Sequence, residues 1–419
     1  MATIKPFQPF RYSVKAGDPA RLLTQPYDKI NPAMQTAYLA SSPYNLVRVI
    51  LGERHPTDDA SDNVYTRAAR YLNDWIRDGI LARDPSPGLY AYFQEFQVPD
   101  TGERAVRQGF IGIGKVEDYS ANIVHRHEQT LSGPKKDRLE LLRHTRAHFG
   151  QIFMLYPDPE GAVDKLLAEA AKGDPLLDVL DQDAVLDDDR VRHRVWAITD
   201  PHRIASIQEL MAPKKLLIAD GHHRYETALA YRNENPGDSA AEYVMMTFVN
   251  MHSPGLKILA THRVLRNLEG FDAAEFFEKA RSAWKVIACA AAEPESLKAA
   301  LSVRKPESVR IGVLTPGGAH LFERPRRPEE LDVPILHREI LGGLLGISEE
   351  AVREEKYIHY VRGIDAAAAE LQHGAQIVFL LEPTPIEDMA RIAFAGGVMP
   401  QKSTDFYPKL LSGVTMYRL

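Results

Sequence analysis

An abrupt change from apolar to ionisable residues near the middle of the chain constrains its fold more than any other feature. Residues 215–219 have the short apolar character of a buried strand, and residues 225–231 carry alanines and leucine at helical spacing. Gly221 lies between the two, so the sequence predicts a strand-to-helix turn at this glycine. Such a turn exposes backbone N–H groups and the positive end of a helix dipole.

Ionisable side chains crowd this histidine turn, whose residues are Asp220, Gly221, His222, His223 and Arg224. The imidazoles and the guanidinium add donors to the helix N-terminus, so the turn is typical of an anion site, and phosphate is the anion that fits best. The alternative is structural: Asp220 caps the helix, the histidines are satisfied polar residues, and Arg224 pairs with a surface carboxylate. We favour the functional interpretation, because catalytic groups collect on turns that a rigid scaffold holds.

The composition is that of a soluble globular protein, with 44% hydrophobic and 26% charged residues. A net charge of −6 argues against a general nucleic-acid binder. No apolar stretch approaches the ~20 residues that span a bilayer, and the first residues lack the apolar core of a signal peptide. The single cysteine, Cys289, excludes an internal disulfide framework and is expected to be a buried structural thiol. We expect a cytoplasmic protein without nucleic-acid or membrane partners and of unknown oligomeric state.

The strand and helix patterns predict an α+β protein with a boundary near residue 268, where Gly270 breaks the pattern. We expect an N-terminal domain over residues 1–268, with a β-rich insertion at about 86–195, and a C-terminal α/β domain over residues 269–419. Residues 89–96 and 107–116 have the pattern of a hairpin, and residues 46–51 have the character of a strand.

The second strand of that hairpin contains a near match to the phosphate-loop pattern G-x-x-x-x-G-K-[ST], from Gly109 to Val116. Val116 stands where a hydroxyl should contact magnesium, and apolar residues such as Phe110 and Ile111 belong in a strand rather than in a loop around phosphate. We therefore reject a Walker-type nucleotide site here.

Four polar loops combine acids, imidazoles, hydroxyls and cations: Tyr27-Asp28, residues 127–138, the histidine turn, and the C-terminal loop of residues 402–409. Phosphoryl transfer needs this inventory, because its catalysis is mostly positioning plus charge stabilisation. No familiar zinc-ligand spacing is present, and no metal is assigned. The alternatives are a charged surface loop at residues 127–138 and a capped loop at residues 402–404. Whether the four loops converge depends on the tertiary structure.

Five motifs are spread over the chain: Gln25-Pro26-Tyr27-Asp28, His127-Glu128-Gln129-Thr130, residues 218–228, Thr261-His262-Arg263-Val264-Leu265 and residues 399–409. Together they resemble a bacterial and archaeal family known as domain of unknown function one-thousand-fifteen. Two positions depart from that family: Ala260 stands where proline is expected, and Asp405 stands where an aromatic residue is expected.

Within that family, the histidine turn is similar to the phosphate-contacting turn of the ParB, sulfiredoxin and free serine kinase superfamily. This resemblance implies a ParB/sulfiredoxin-like core. It implies that the histidine and arginine of the turn contact nucleotide phosphates, and that Asp28 or Glu128 acts as the base on a substrate hydroxyl. Sulfiredoxins have a cysteine where His222 stands, so sulfinate reduction is not expected. The helix-turn-helix domain and basic surface of ParB relatives are not found in this sequence.

We predict a phosphotransferase that moves a phosphoryl group from ATP, ADP or pyrophosphate, assisted by Mg²⁺, to a small hydroxylated metabolite such as free serine. Two rivals are a non-catalytic nucleotide-binding regulator and a metal-dependent phosphoester hydrolase. Asp220 is also the candidate for binding Mg²⁺ or for orienting His222. The candidate catalytic residues are Asp28, Glu128, Asp220 and His223, and the candidate phosphate-binding residues are Gly221, His222, Arg224, Lys136, Arg138, Lys402, Ser403 and Thr404.

Overall fold

The computed structural model describes residues 1–99, 101–128, 132–181, 190–289, 294–400 and 402–419. Three residues of the family motifs, Gln129, Thr130 and Gln401, lie outside the described residues. The remaining motif residues can all be placed in the fold.

The strands are short and run through the whole chain. Up to residue 250 they are β1 (Ile4–Lys5), β2 (Phe10–Tyr12), β3 (Leu81–Arg83), β4 (Leu89–Gln97), β5 (Arg104–Lys115), β6 (Val124–His125), β7 (Ala147–His148), β8 (Ile152–Tyr156), β9 (Leu177–Leu180), β10 (Arg192–Ile198), β11 (Leu216–Asp220) and β12 (Tyr243–Asn250). The later strands are β13 (Lys257–Leu259), β14 (Thr261–Leu265), β15 (Lys285–Ala288), β16 (Ser308–Thr315), β17 (Gly318–Pro325), β18 (Ile358–Arg362), β19 (Ile377–Leu380), β20 (Asp405–Tyr407) and β21 (Tyr417–Arg418).

Helices alternate with these strands. They are α1 (Pro32–Ser41), α2 (Val47–Ile50), α3 (Val64–Arg77), α4 (Ser132–Thr145), α5 (Ala162–Ala170), α6 (Pro201–Met211), α7 (His222–Glu234), α8 (Ala273–Ala280), α9 (Pro294–Ser302), α10 (Asp332–Ile335), α11 (Glu349–Arg353), α12 (Ile364–Ala369) and α13 (Ile386–Phe394). A π-helix spans Leu336–Gly342, and a 3₁₀ turn spans Tyr27–Lys29. Within the part of the chain that the structure describes, no helix combines the length and the apolar character that crossing a membrane requires.

The larger sheet contains nine strands of the described chain. Their order is β6-β11-β8-β12-β5-β4-β10-β9, and β1 pairs with β5. Both faces are buried, which explains the unbroken apolar run of β11: Ile218 packs on one face with Tyr225 of α7, and Ala219 packs on the other with Phe406 and Leu410. The end of β11 therefore places the histidine turn at an edge of a rigid, fully covered sheet.

The smaller sheet contains six strands of the described chain, in the order β15-β17-β16-β19-β14-β18. Strand β14 precedes residue 268 but pairs with β18 and β19 in this sheet. After the smaller sheet the chain forms two separate two-stranded sheets with earlier strands, because β20 pairs with β13 and β21 pairs with β7. Sheet pairing alone does not define folding units, so the division into domains at residue 268, with its insertion, stays a prediction.

The predicted α+β class is confirmed, since helices and strands alternate around several sheets. The predicted hairpin is also confirmed, because β4 and β5 pair antiparallel. The strand predicted at residues 46–51 is wrong, because Val47–Ile50 forms α2. An Asn45 side chain starts this helix by accepting a hydrogen bond from the Val47 N–H at 2.9 Å. A short apolar run fits either structure, and its packing against Leu72 and Trp75 of α3 decides for the helix.

The rejected phosphate-loop match lies in strand β5, as expected. Its glycines serve strand packing, because a Cβ at Gly109 would lie 2.6 Å from the carbonyl oxygen of Phe248 on β12. A Cβ at Gly112 would lie 2.9 Å from a methyl group of Leu89 on β4. These glycines admit the neighbouring strands and do not form a loop around phosphate.

Candidate functional site

The histidine turn has the geometry that its glycine predicts. Gly221 has φ 92°, in the left-handed region that disfavours other residues, and α7 begins directly after it. A Cβ at this position would also lie 3.0 Å from the guanidinium carbon of Arg224. The first hydrogen bond of α7 joins the Tyr225 N–H to the Gly221 carbonyl, so the N–H groups of residues 222–224 have no acceptor within the helix.

Asp220 and Arg224 brace the turn from within. Arg224 donates from Nη2 to Asp220 Oδ2 at 2.9 Å and from Nη1 to the carbonyl of Gln151. Gly221, rather than Asp220, is the N-cap of α7. Burial acts to raise the pKa of Asp220, but the charges of Lys409 and Arg224 outweigh it and hold the pKa below its usual range. Asp220 is therefore an ionised, partly buried carboxylate and not a helix cap.

His222 lies behind the turn, against His127 of the second loop. The two rings meet edge to face with their centroids 4.8 Å apart. His127 donates from Nδ1 to the Ile218 carbonyl at 2.8 Å, which leaves Nε2 to accept from Thr404 Oγ1 at 2.8 Å. Burial lowers the pKa of His127 to about 4 and that of His222 well below its ordinary value. Both imidazoles are neutral at pH 7. His127 supplies hydrogen bonds, whereas His222 packs against it with an Nε2 that has no hydrogen-bond partner among the described residues.

His223 is half-buried and lies nearer to the loop of Asp28. Burial lowers its pKa, the charge of Glu226 opposes this, and the charges of Lys135 and Asp28 act on it more weakly. Glu226 is paired with Lys135 and, at 3.4 Å, with Arg126. Asp28 itself is exposed in the 3₁₀ turn Tyr27–Lys29. The structure thus brings Asp28 and His223 to one side of the turn.

Glu128 lies between the histidine turn and the C-terminal loop. Its backbone pairs with that of Met399, and its side chain is 20% exposed. Burial raises the pKa of Glu128 to about 7, and the charge of Lys402 and a hydrogen bond from the Ser403 N–H oppose the rise. A carboxyl group with a pKa near neutrality is suited to accept a proton from a substrate.

The C-terminal loop begins with an unusual backbone conformation. Lys402 has φ 58° and an exposed side chain. The backbone carbonyl of Lys402 accepts a hydrogen bond from Arg263 Nη2 at 3.0 Å. Ser403 donates from Oγ to the Pro400 carbonyl at 2.6 Å, and its own carbonyl accepts from Thr384 Oγ1 at 2.8 Å. The hydroxyls of Ser403 and Thr404 are therefore engaged within the scaffold.

Lys409 joins the C-terminal loop to the histidine turn. Its side chain is 9% exposed, with Nζ 3.0 Å from Asp405 Oδ1 and 3.8 Å from Asp220 Oδ1. Burial acts to lower the pKa of Lys409, but Asp220 and Asp405 raise it above its ordinary value. Asp405 also accepts from Arg362 Nε at 2.7 Å. Lys409 is thus a buried cation held between two carboxylates.

All four polar loops meet at the histidine turn. The charge of Asp28 acts on His223, and the charges of Lys402 and Asp220 act on Glu128. Residues that are far apart in sequence are therefore within electrostatic reach of one another. The tertiary structure therefore brings the four loops together, which the sequence could not establish.

Two of the predicted phosphate-binding residues have other surroundings. Arg138 donates from Nη1 to the Ile50 carbonyl at 2.6 Å and lies over the ring of Tyr27. With Arg224 and Tyr27 it lines a cavity of about 70 Å³. Lys136 is exposed on α4, and no hydrogen bond or ion pair joins it to the other three loops in the described chain. Their assignment to phosphate stays a prediction.

A family model described as "Protein of unknown function (DUF1015)" matches residues 4–340. The chain belongs to this family. The resemblance predicted from the five motifs is thereby confirmed. None of the curated proteins with which this DUF1015 chain was compared is significantly similar to it.

Solved structures similar to this DUF1015 chain share little sequence with it. A mutant of free serine kinase in complex with ADP is 14% identical, with a TM-score of 0.36, covering 68% of this chain and 84% of that chain. A conserved hypothetical protein from Pyrococcus furiosus is 13% identical, with a TM-score of 0.35, covering 70% and 91%. SbnI with a C-terminal truncation, from Staphylococcus aureus, is 10% identical, with a TM-score of 0.35, covering 72% and 85%. Similarities this low carry no argument about activity.

Lys29 is a residue of this site that the sequence did not single out. Burial, and after it the charge of Lys409, lowers the pKa of Lys29. Lys402 acts on Lys29 in the same direction, so both Lys409 and Lys402 lie within electrostatic reach of Lys29. The position of Lys29 directly after Asp28, the last residue of a family motif, was the available signal. Lys409 was named only as the end of a loop.

The described side chains do not offer a ready-made metal site. No group of three His, Cys, Asp or Glu side chains is arranged as metal ligands in the described residues. Both carboxylate oxygens of Asp220 already face cations, Oδ2 that of Arg224 and Oδ1 that of Lys409. The side chains around Asp220 therefore do not fit a protein-held Mg²⁺, which would need free carboxylate oxygens.

Proposed function

We propose that this protein transfers a phosphoryl group from a nucleotide or pyrophosphate to a small hydroxylated metabolite, for which free serine is the first candidate. The observation that supports this most is a strand-to-helix turn whose first helical N–H groups have no acceptor within α7, joined to the C-terminal loop through Lys409 and Asp220 at 3.8 Å and lying beside Glu128, whose pKa is raised to about 7. Cations hold and neutralise phosphates, and a carboxylate of this pKa removes a proton from the acceptor.

The donor phosphates would lie at the start of α7. There the N–H groups of residues 222–224 point away from the helix, and the helix dipole favours an anion. Arg224 donates to Asp220 and Gln151, so its proposed part is to shape the turn on which the phosphates lie. The lysine side chains of Lys29 and Lys402 approach from the neighbouring loops and would neutralise the transferred group.

Glu128 is the better candidate for the base. It is largely buried beside Lys402, whereas Asp28 is exposed and lies near His223. In the proposed step the acceptor oxygen attacks the terminal phosphorus as its proton passes to Glu128. The new O–P bond forms while the bond from phosphorus to the bridging oxygen breaks, and the leaving phosphate keeps that electron pair. The proposed role of Asp28 is then to orient the acceptor, together with His223.

Mg²⁺ would enter with the donor rather than be held by the protein. A nucleotide binds this ion through its own phosphates, and Mg²⁺ commonly needs only one or two protein carboxylates beside them. The chemistry assigned to the chain here, which is binding the phosphates and accepting the proton, uses its own side chains and N–H groups.

The experiment incubates the full chain with ATP, ADP or pyrophosphate, with and without Mg²⁺, and with L-serine or other hydroxylated small molecules. Mass spectrometry follows the phosphorylated product. We expect Glu128→Gln to abolish product formation and Asp28→Asn to reduce it. Glu169→Gln, on the exposed surface of α5, is the matched control and should leave the rate unchanged.

Three outcomes would contradict the proposal, and each indicates a different function. A donor that binds but is recovered unchanged indicates the nucleotide-responsive regulator. A donor that is consumed without a phosphorylated acceptor indicates a phosphoester hydrolase. A protein that neither binds nor consumes any of the donors has another function.

A further inference from the structure

Arg263, on β14 of the smaller sheet, is a completely buried cation. No carboxylate lies within ion-pair distance of it in the described part of the chain. Its donors go to backbone carbonyls instead: Nη1 to that of Thr261 and Nη2, at 3.0 Å, to that of Lys402. Tyr360 offers its ring face 5.3 Å from the guanidinium carbon. Burying an unpaired charge is costly, so a structural or functional gain should accompany it.

The partner of Arg263 is the one loop residue whose backbone is strained. Lys402 has φ 58°, a conformation that costs an L-residue free energy and persists only when neighbours hold it. A hydrogen bond from a buried guanidinium to the Lys402 carbonyl fixes the orientation of that peptide group. It therefore constrains the direction in which the Lys402 side chain leaves the loop, and Glu128 lies within electrostatic reach of that side chain.

Side chains in or just after strands of the smaller sheet hold two further residues of the loop. Thr384, four residues after the end of β19, donates to the Ser403 carbonyl at 2.8 Å. Arg362, the last residue of β18, contacts Asp405 through two nitrogens at 2.7 Å. Three anchors of the loop therefore come from the smaller sheet and the segment that follows its strand β19, while the site that they serve lies at the edge of the larger sheet.

We infer that the smaller sheet is a frame for the C-terminal loop, and that Arg263 is the positioning residue that aims Lys402 at a phosphate on the histidine turn. The role of Lys402 rests on the proposed function, whereas the framing of the loop does not. A lysine at position 263 would keep the charge but lose the planar fork that reaches two carbonyls at once. A misplacement of about 1 Å in a catalytic group can reduce a rate by about 100-fold.

The test compares Arg263→Lys and Thr384→Val with Leu297→Ala in the full chain. Leu297 is buried in the core of the smaller sheet, on α9, and does not contact the loop, so its truncation controls for general weakening of the sheet. Hydrogen exchange of the backbone amides is followed in residues 402–409 and in the first turn of α7. The affinity for ADP is measured for each variant, together with kcat and KM if the protein turns over a substrate.

We expect faster exchange of residues 402–409 in Arg263→Lys and Thr384→Val, with the first turn of α7 unchanged. In Arg263→Lys, kcat should fall about 10- to 100-fold, while ADP affinity changes less than about threefold. Leu297→Ala should lower the stability of the protein without opening the loop.

Unchanged exchange in both loop variants would overturn the inference, as would equal opening of the loop in Leu297→Ala. If Arg263→Lys does not fold, Thr384→Val decides alone. The exchange result stands even if the wild-type protein consumes no donor. The experiment therefore distinguishes a protein that lacks the proposed function from one in which the smaller sheet does not hold the C-terminal loop.

Discussion

The histidine turn and the C-terminal loop form two walls of the same site but are held in opposite ways. In the turn, Arg224 is braced against Asp220, four residues away. In the loop, Lys402 depends on Arg263, 139 residues away, and Thr404 depends on His127, 277 residues away. The first wall is a local structure on the end of a strand, and the second is assembled by both sheets.

This difference predicts where substitutions will act. A change in the turn should alter phosphate binding while leaving the loop in place, because the Asp220–Arg224 pair lies within the turn itself. A change at a distant anchor should alter the loop while leaving the turn intact. Lys409 touches both walls, and Glu128 accepts a hydrogen bond from the loop and lies within reach of the Asp220 charge, so the largest effects are expected at these two residues.

Glu128→Gln should have the largest effect, because it removes the proposed base between the walls. We expect the rate of phosphoryl transfer to fall about 100- to 10,000-fold, the usual contribution of general base catalysis. In the wild type, kcat/KM should rise with pH through an apparent pKa of about 7. The variant should lose that dependence. A variant with wild-type rate would move the base to Asp28.

Glu128→Gln also tests whether folding raises the pKa of Glu128, through the pH dependence of the free energy of unfolding. The folded-state pKa of Glu128 is raised to about 7. Its stabilising contribution is therefore present below the unfolded value, about 4.3, and is lost as the pH rises through about 7. As the pH rises from about 4.3 to about 7, the free energy of unfolding of the wild type, measured with urea, should fall relative to that of Glu128→Gln. Parallel stability curves would contradict the raised pKa.

Lys409→Met should separate the two walls. It leaves Asp220 and Asp405 buried without the cation between them, and breaking a buried ion pair from one side typically costs about 3–5 kcal/mol. Urea unfolding measures this loss. Lys172→Met is the control, since the exposed pair with Glu169 should be worth less than about 1 kcal/mol. Equal effects of the two substitutions would show that Lys409 is not the link between the walls.

Gly221→Ala should disturb the turn alone. The left-handed backbone costs an L-residue roughly 1–2 kcal/mol, and the new methyl group would press on the Arg224 guanidinium. We expect a lower free energy of unfolding and weaker ADP binding, with hydrogen exchange of residues 402–409 unchanged. Exchange that rises in the loop as well would show that the walls are not independent.

Thr404→Val should have the smallest effect, limited to the loop. It removes a hydrogen bond to His127 Nε2, worth about 1 kcal/mol. ADP binding at the turn should change less than about twofold. Calorimetric titration with ADP checks this, and a loss of binding as large as in Gly221→Ala would remove the distinction between the walls.

Of the two walls, the histidine turn is the one that the sequence predicts. The apolar run of β11, the glycine and the helical spacing of α7 are short-range patterns, and each lies within the residues that form it. The same kind of pattern failed at residues 46–51, where packing against α3 decided for a helix. Lys29 was missed because its importance comes from Lys402 and Lys409, which are distant in sequence.

By itself, the sequence determined the α+β class, the family, and a strand-to-helix turn with a left-handed glycine, because steric and periodic rules act over a few residues. Only the tertiary structure decided that Lys29, Glu128 and Lys402 meet at that turn, and that Arg263 of the smaller sheet holds the loop opposite it. Burial and charge–charge distances depend on which strands become neighbours. That choice belongs to the packing of the whole chain.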